Sequence, residues 1–192
     1  MSRSSCALIA ISGVLLFGCA NGPPGASYAP LPDGWTHVCE PKRFVVDFPA
    51  PPEEGRQTLN GGNGPLVAAT WNAVHGRRAY GVEYAEYDDV TKPPVAIVAE
   101  MRARAVGPGR VIDDRPRDGD GWASDDLLIE IPAGTNASPA GTKTFATQVR
   151  IVLSRQQLFV LVTAAPTLDD DQADAGRFLQ SLRYRDAALD CG

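Results

Sequence analysis

FATQVRIVLSRQQLFVLVTAA, residues 145–165, holds two strand patterns separated by the polar link SRQQ. In the first, Phe145, Thr147, Val149, Ile151 and Leu153 recur at period two and so share one face of a strand. In the second, LFVLVTAA is apolar at nearly every position, as a strand covered on both sides should be. A hairpin with such a second strand needs a layer above it and a layer below.

Working outward, RFVVDFP (43–49) alternates Phe44, Val46 and Phe48 on one face until Pro49 stops it. LVAATWNAV (66–74) and AYGVEYAEY (79–87) are strand-like runs joined by HGRR, with Gly76 suited to the turn. LLIEI (127–131) is short and ends at Pro132. Two segments switch to helical spacing. In TKPPVAIVAEMRARAVGPG (91–109), Thr91 is the expected cap and the prolines fit the first turn. Val95, Val98, Met101 and Ala105 form its apolar stripe, and Gly107 with Pro108 ends it. In TLDDDQADAGRFLQSLRYR (167–185), Thr167 is the expected cap, with Asp169 to Asp171 at the positive end of the helix dipole. Leu168, Ala175, Phe178, Leu179 and Leu182 form the stripe to be buried, and Arg183 and Arg185 sit at the negative end. Strands, helix, strands, helix predicts an α+β fold, an antiparallel sheet of about six or seven strands covered by two main helices.

That order also carries a resemblance. An FxVxFP strand (Phe44 to Pro49), the long hairpin Phe145 to Ala165 and a closing Phe-Leu-x-Ser-Leu (Phe178 to Leu182) resemble the PsbP-like, Ran-binding Mog-type fold. The resemblance spans roughly residues 35–185. It implies a domain used in binding and assembly, found among other places in bacterial envelope lipoproteins. Its matching positions are core positions, so it transfers no functional residue.

The amino end has a different character. Arg3 precedes CALIAISGVLLF (6–17), an uncharged apolar run of signal-peptide length. It is shorter than the roughly 20 residues a membrane-spanning helix needs. Leu16, Gly18 and Cys19 then resemble the lipobox of bacterial lipoprotein signals at −3, −1 and +1, with Phe17 at −2 where a smaller residue is usual. The resemblance implies cleavage before Cys19, diacylglycerol on its thiol and acylation of the new amine. An ordinary secretory signal with a chance cysteine is the alternative. Two acyl chains anchor stably where one does so only marginally. ANGPPGASYAPLPDG (20–34) has four prolines and three glycines in fifteen residues and reads as a tether. The expected organisation is signal 1–18, tether 19–34 and one α+β domain 35–192. Ala20 after the cysteine suits an outer-membrane address, facing the periplasm, if the organism has two membranes.

Removing 18 of the 192 residues leaves 174, enough for one domain, and shifts the formal charge from −5 to −6, because Arg3 is the only charge lost. Mild acidity argues against nucleic acid as a partner. The expected partners are membrane lipid, through acylated Cys19, and an unidentified envelope protein or ligand. With Cys6 removed and Cys19 acylated, Cys39 and Cys191 remain, and in an oxidising compartment they are expected to pair. Two free thiols are the alternative.

Catalytic patterns are sparse. His37 and His75 are the only histidines; no GxSxG or HExxH occurs, and Ser124 has acidic neighbours but no nearby histidine. The sequence therefore points to a non-enzymatic binding, assembly or envelope-maintenance role with no cofactor. The competing reading uses the aspartate-rich stretch DDRPRDGDGWASDD (113–126) as a calcium site or as part of an uncharacterised enzyme. Asp118, Asp120, Asp125 and Asp126 would be its ligands, although their spacing does not fit an EF-hand and a solvated hairpin turn has the same composition. GGNG (61–64) looks like a fragment of a calcium-binding nonapeptide but occurs once and lacks the aspartate, no Gly-Lys-Ser or Gly-Lys-Thr follows it to make a phosphate loop, and NAS (136–138) is formally a sequon. Tyr80, Val82 and Tyr84 share a strand face with Trp71 on the strand before. That face is either open, as a ligand platform, or core beneath a helix; the core reading is favoured.

Overall fold

In the computed structural model, which describes residues 9–11, 14–16, 26–41, 43–61, 64–132, 144–184 and 191, the hairpin of residues 144–165 lies within a seven-stranded antiparallel sheet. At the amino end β1 (Ile9–Ile11) and β2 (Val14–Leu16) pair as a separate two-stranded ribbon. A three-stranded sheet follows, made of β3 (Ser27–Pro30), β4 (Thr36–Glu40) and β5 (Phe44–Phe48). The large sheet contains β6 (Glu53–Gly61), β7 (Gly64–His75), β8 (Arg78–Glu86), β9 (Arg110–Gly119), β10 (Trp122–Pro132), β11 (Thr144–Ser154) and β12 (Gln157–Ala165). Its order is β6-β7-β8-β12-β11-β10-β9. Helix α1 (Pro94–Val106) follows β8, and α2 (Gln172–Gln180) follows β12.

The expected α+β class and antiparallel sheet are present. What covers the sheet differs from expectation. On β12, Leu158, Val160 and Val162 face α1 and share a core cluster with its Ile97 and Met101 and with Ile129 and Ile151 of the sheet. Phe159 and Leu161 point the other way, against Phe44, Val46 and Phe48 of the small sheet and Phe178 of α2. So α1 covers one face, while the small sheet and α2 share the other. Period two shows that Phe44 to Phe48 is a strand, but it cannot say in which sheet.

Element ends also moved. The first residue of α1 is Pro94 and its cap position is Pro93, which has no side-chain oxygen; Thr91 does not cap it. Val95 is 49% exposed, whereas Val98, Met101 and Ala105 are buried as expected. Helix α2 starts five residues after Thr167, with Asp171 at its cap position in a left-handed conformation. The loop before it is held by Arg78, which is fully buried. Its guanidinium donates to the Asp170 and Leu168 carbonyls and to Thr163 Oγ1 at 2.5–3.1 Å. Within the stretch read as a tether, Ser27–Pro30 instead pairs with β4 as an edge strand. Proline is tolerated there, since an edge strand can spare an N–H. After α2 the chain adds to the free edge of β5, where Val45 and Arg183 exchange backbone hydrogen bonds at 2.9 and 3.0 Å.

Candidate functional site

The aromatic face does not form an open platform. Trp71 and Tyr80 have no exposed surface and Tyr84 is 5% exposed. Phe44 lies over them, 5.2 Å from Trp71 and 5.3 Å from Tyr84 between ring centroids, and Phe178 packs 5.4 Å from Tyr80. Burial pushes the phenols of Tyr80 and Tyr84 up to about 12. The face is core, and most of its cover is the small sheet rather than a helix.

The aspartate-rich stretch is no loop. It forms the hairpin of β9 and β10, turning at Asp120 and Gly121, where Gly121 has φ +69°. A strand alternates its side chains, so neighbouring Asp125 and Asp126 point to opposite faces of the sheet. Asp125 is buried under α1 and accepts from Arg102 at 3.0 Å. Asp126 accepts a two-pronged pair from Arg150 at 2.6 and 3.0 Å. Asp118 lies opposite Ala123 on the edge strand, and Asp120 lies in the turn. Among the described residues no three His, Cys, Asp or Glu side chains gather into a metal-binding group.

Cys39 and Cys191 form a disulfide with Cα atoms 5.6 Å apart, closing a span of 152 residues over the outer face of the small sheet. Cys19, residues 62 and 63, and the NAS stretch lie outside the described residues. His37 Nδ1 meets Asp47 Oδ1 at 2.6 Å across β4 and β5. Ser181 is close by, but its hydroxyl donates to the Phe178 carbonyl at 2.8 Å and accepts the Asp47 N–H at 3.0 Å. Ser181 thus touches the backbone of the aspartate's own residue rather than the histidine ring. The order acid, base, nucleophile needed for acyl transfer is not made here.

Two polar groupings were not anticipated. The first lies in the large sheet, on the face toward α1. Glu83, 3% exposed, meets Arg104 at 3.9 Å, too far for a hydrogen bond. Glu83 Oε1, Arg104 Nη1, Gln57 Nε2 and Thr70 Oγ1 are all buried without a hydrogen-bond partner. Burial raises the Glu83 carboxyl above its usual range, and Arg104 offsets only part of that. One charged residue at an inward position of AYGVEYAEY is the sequence signal that could have drawn attention to it.

The second is a hollow of about 210 Å³ between the β4–β5 turn and the β6–β8 end of the large sheet. Trp71, Tyr84 and Ala69 lie at its base, and Val67, 64% exposed, stands at its rim. Four charges line it: Glu40, Arg43, Arg56 and Glu86. Arg43 donates to Glu40 Oε1 at 3.0 Å, approaches Glu86 at 3.7 Å and places its guanidinium carbon 5.6 Å from the centre of the Tyr84 ring. The Tyr84 hydroxyl donates to Glu86 at 3.2 Å. Trp71 Nε1–H, at the base, donates to the Tyr28 hydroxyl at 3.0 Å, so β3 and the hollow share a wall. No single motif encodes this grouping, because its members come from four separate stretches of chain.

Neither the profiles of known protein families nor the curated protein sequences contain a match to this chain.

Proposed function

We propose that the chain is an envelope lipoprotein, held to the membrane by acyl chains on Cys19, whose single α+β domain of PsbP-like type serves binding or assembly and performs no catalysis. The observation that carries this reading is the succession of Arg3, an uncharged apolar run, and Leu16, Gly18 and Cys19 just ahead of a proline- and glycine-rich stretch. The fold supplies a consistent geometry. Strand β3 begins at Ser27, eight residues after Cys19. At full extension those residues span at most about 29 Å, so an acylated Cys19 would hold the domain close to the lipid headgroups. Among the described residues no helix is long and apolar enough to cross a membrane, so attachment in this reading falls to the lipid. The diderm case places the domain in the periplasm, on the outer membrane. The disulfide between Cys39 and Cys191 suits such an oxidising compartment.

The test is Cys19→Ala in cells grown with a labelled fatty acid. The wild-type protein is expected in the membrane fraction carrying label; the variant should lose the label and run at the mass of the uncleaved precursor. Unchanged labelling and unchanged mass in the variant would refute the anchor.

A further inference from the structure

The hollow beside the β4–β5 turn holds two polar groups that the fold leaves unspent. The Glu40 side chain is 6% exposed, yet only its Oε1 is engaged, by Arg43; its Oε2 is buried with no partner. A carboxylate oxygen in that position carries a desolvation cost that only a donor can offset. Arg56 also lines the hollow, is exposed, and makes no ion pair or hydrogen bond with any described residue. The four charges of the lining sum to zero: two glutamates and two arginines. A ligand of net charge would unbalance them, whereas one carrying both signs would not. Val67, Ala69, Trp71 and Tyr84 line the rest of the hollow together with Ala85. The volume is below the roughly 300 Å³ where drug-sized pockets begin, which suits a ligand of amino-acid size.

We infer that this hollow binds a small zwitterion, with its ammonium group on Glu40 and Glu86, its anionic group on Arg56, and a short apolar body over Val67 and Ala69. The inference gives a ligand class to the binding role proposed above. It rests on that role and not on acylation of Cys19. Two sources share the chemistry: a free amino acid, and an ethanolamine-phosphate headgroup.

The experiment is titration of the full chain in a non-ionic detergent, following the Trp71 indole N–H by NMR. L-leucine is the probe for the free source and glycerophosphoethanolamine for the headgroup. Isoamylamine and 4-methylpentanoate each keep one charge of leucine and serve as controls. Saturable shifts at Trp71 are expected with at least one zwitterion, and the tighter of the two identifies the source. Each single-charge control should bind about tenfold more weakly or worse, since one charge-assisted hydrogen bond is lost. Arg56→Gln, at an exposed position, should weaken the zwitterion to the level of isoamylamine while leaving isoamylamine unchanged. Glu40→Gln should do the converse, and Arg56→Gln decides the matter if that buried variant fails to fold. No saturable shift with either zwitterion, equal binding of the controls, or an unchanged affinity in Arg56→Gln would overturn the inference. Because detergent replaces the membrane, none of these results depends on whether Cys19 is acylated.

Discussion

The two faces of the large sheet are built on different principles. Beneath the small sheet and α2, rings fill the space: Phe44, Trp71, Tyr84, Phe159 and Tyr184 form a chain of contacts at 5.2–5.6 Å between centroids. Trp71 at its margin is paired with Tyr28, whereas the Tyr80 hydroxyl and Glu40 Oε2 are buried without partners, and the disulfide closes the layer from outside. Beneath α1 the packing is aliphatic, and it admits Glu83 and Asp125, each with a buried oxygen lacking a partner. One face is held by ring packing and a covalent closure, the other by mainly aliphatic packing, and both bury polar atoms without partners. The difference teaches that burial alone does not mark a well-satisfied core.

The largest expected break is at the closed face. Cys39→Ser combined with Cys191→Ser releases a constraint across 152 residues. In the chain-entropy view this costs roughly 5 kcal/mol, less any strain relieved, and is read as a fall in the urea midpoint without reductant. Next comes Phe44→Ala, which empties the centre of the aromatic cluster and should cost about 3–5 kcal/mol. Ile97→Val, under α1, should cost only about 1 kcal/mol in the same assay.

Glu83→Gln should act with the opposite sign. Burial raises the carboxyls of both Glu83 and Asp125 above their ordinary values of 4.5 and 3.8. A carboxyl raised on folding favours the native state while protonated, an advantage complete below its unfolded value and lost as pH climbs through its folded value. The wild type should therefore lose stability as pH rises from about 4.5 towards neutrality, as far as Glu83 contributes. Glu83→Gln should remove that part of the slope and gain about 1 kcal/mol at pH 7, the low end of the cost of an unsatisfied buried polar atom. Thermal melts across pH would show it. A destabilised variant would mean that the distant Arg104 pairing outweighs desolvation. The smallest effect belongs to the surface: Arg110→Ala breaks an exposed 2.8 Å pair with Glu130, which solvent screens, and should leave the urea midpoint unchanged within measurement error.

Much of this architecture is legible in the sequence. The alternation of Thr147, Val149 and Ile151 and the apolar run of β12 locate the sheet centre, and Gly76 marks a turn the structure makes with φ +58°. Strand β9 is illegible because it is an edge. Its residues Asp113 to Gly119 are all exposed and include Pro116, so no face is selected for apolar character and its aspartates read as loop. The small sheet is hidden for another reason, since a strand pattern does not name its partner. The hollow is hidden most deeply. Glu40 and Arg43 border a turn, Arg56 sits on an edge strand and Glu86 ends β8; only the stacking of one sheet on another brings them together.

The anchor proposed at Cys19 is read from sequence, and it would govern where all of this operates. Mass spectrometry of the protein extracted from its native membrane tests it most directly. An amino-terminal peptide that begins at Cys19 and carries the mass of a diacylglycerol thioether and an amide-linked acyl chain is the predicted result. An unmodified Cys19, or a mature chain that begins at another residue, would contradict it.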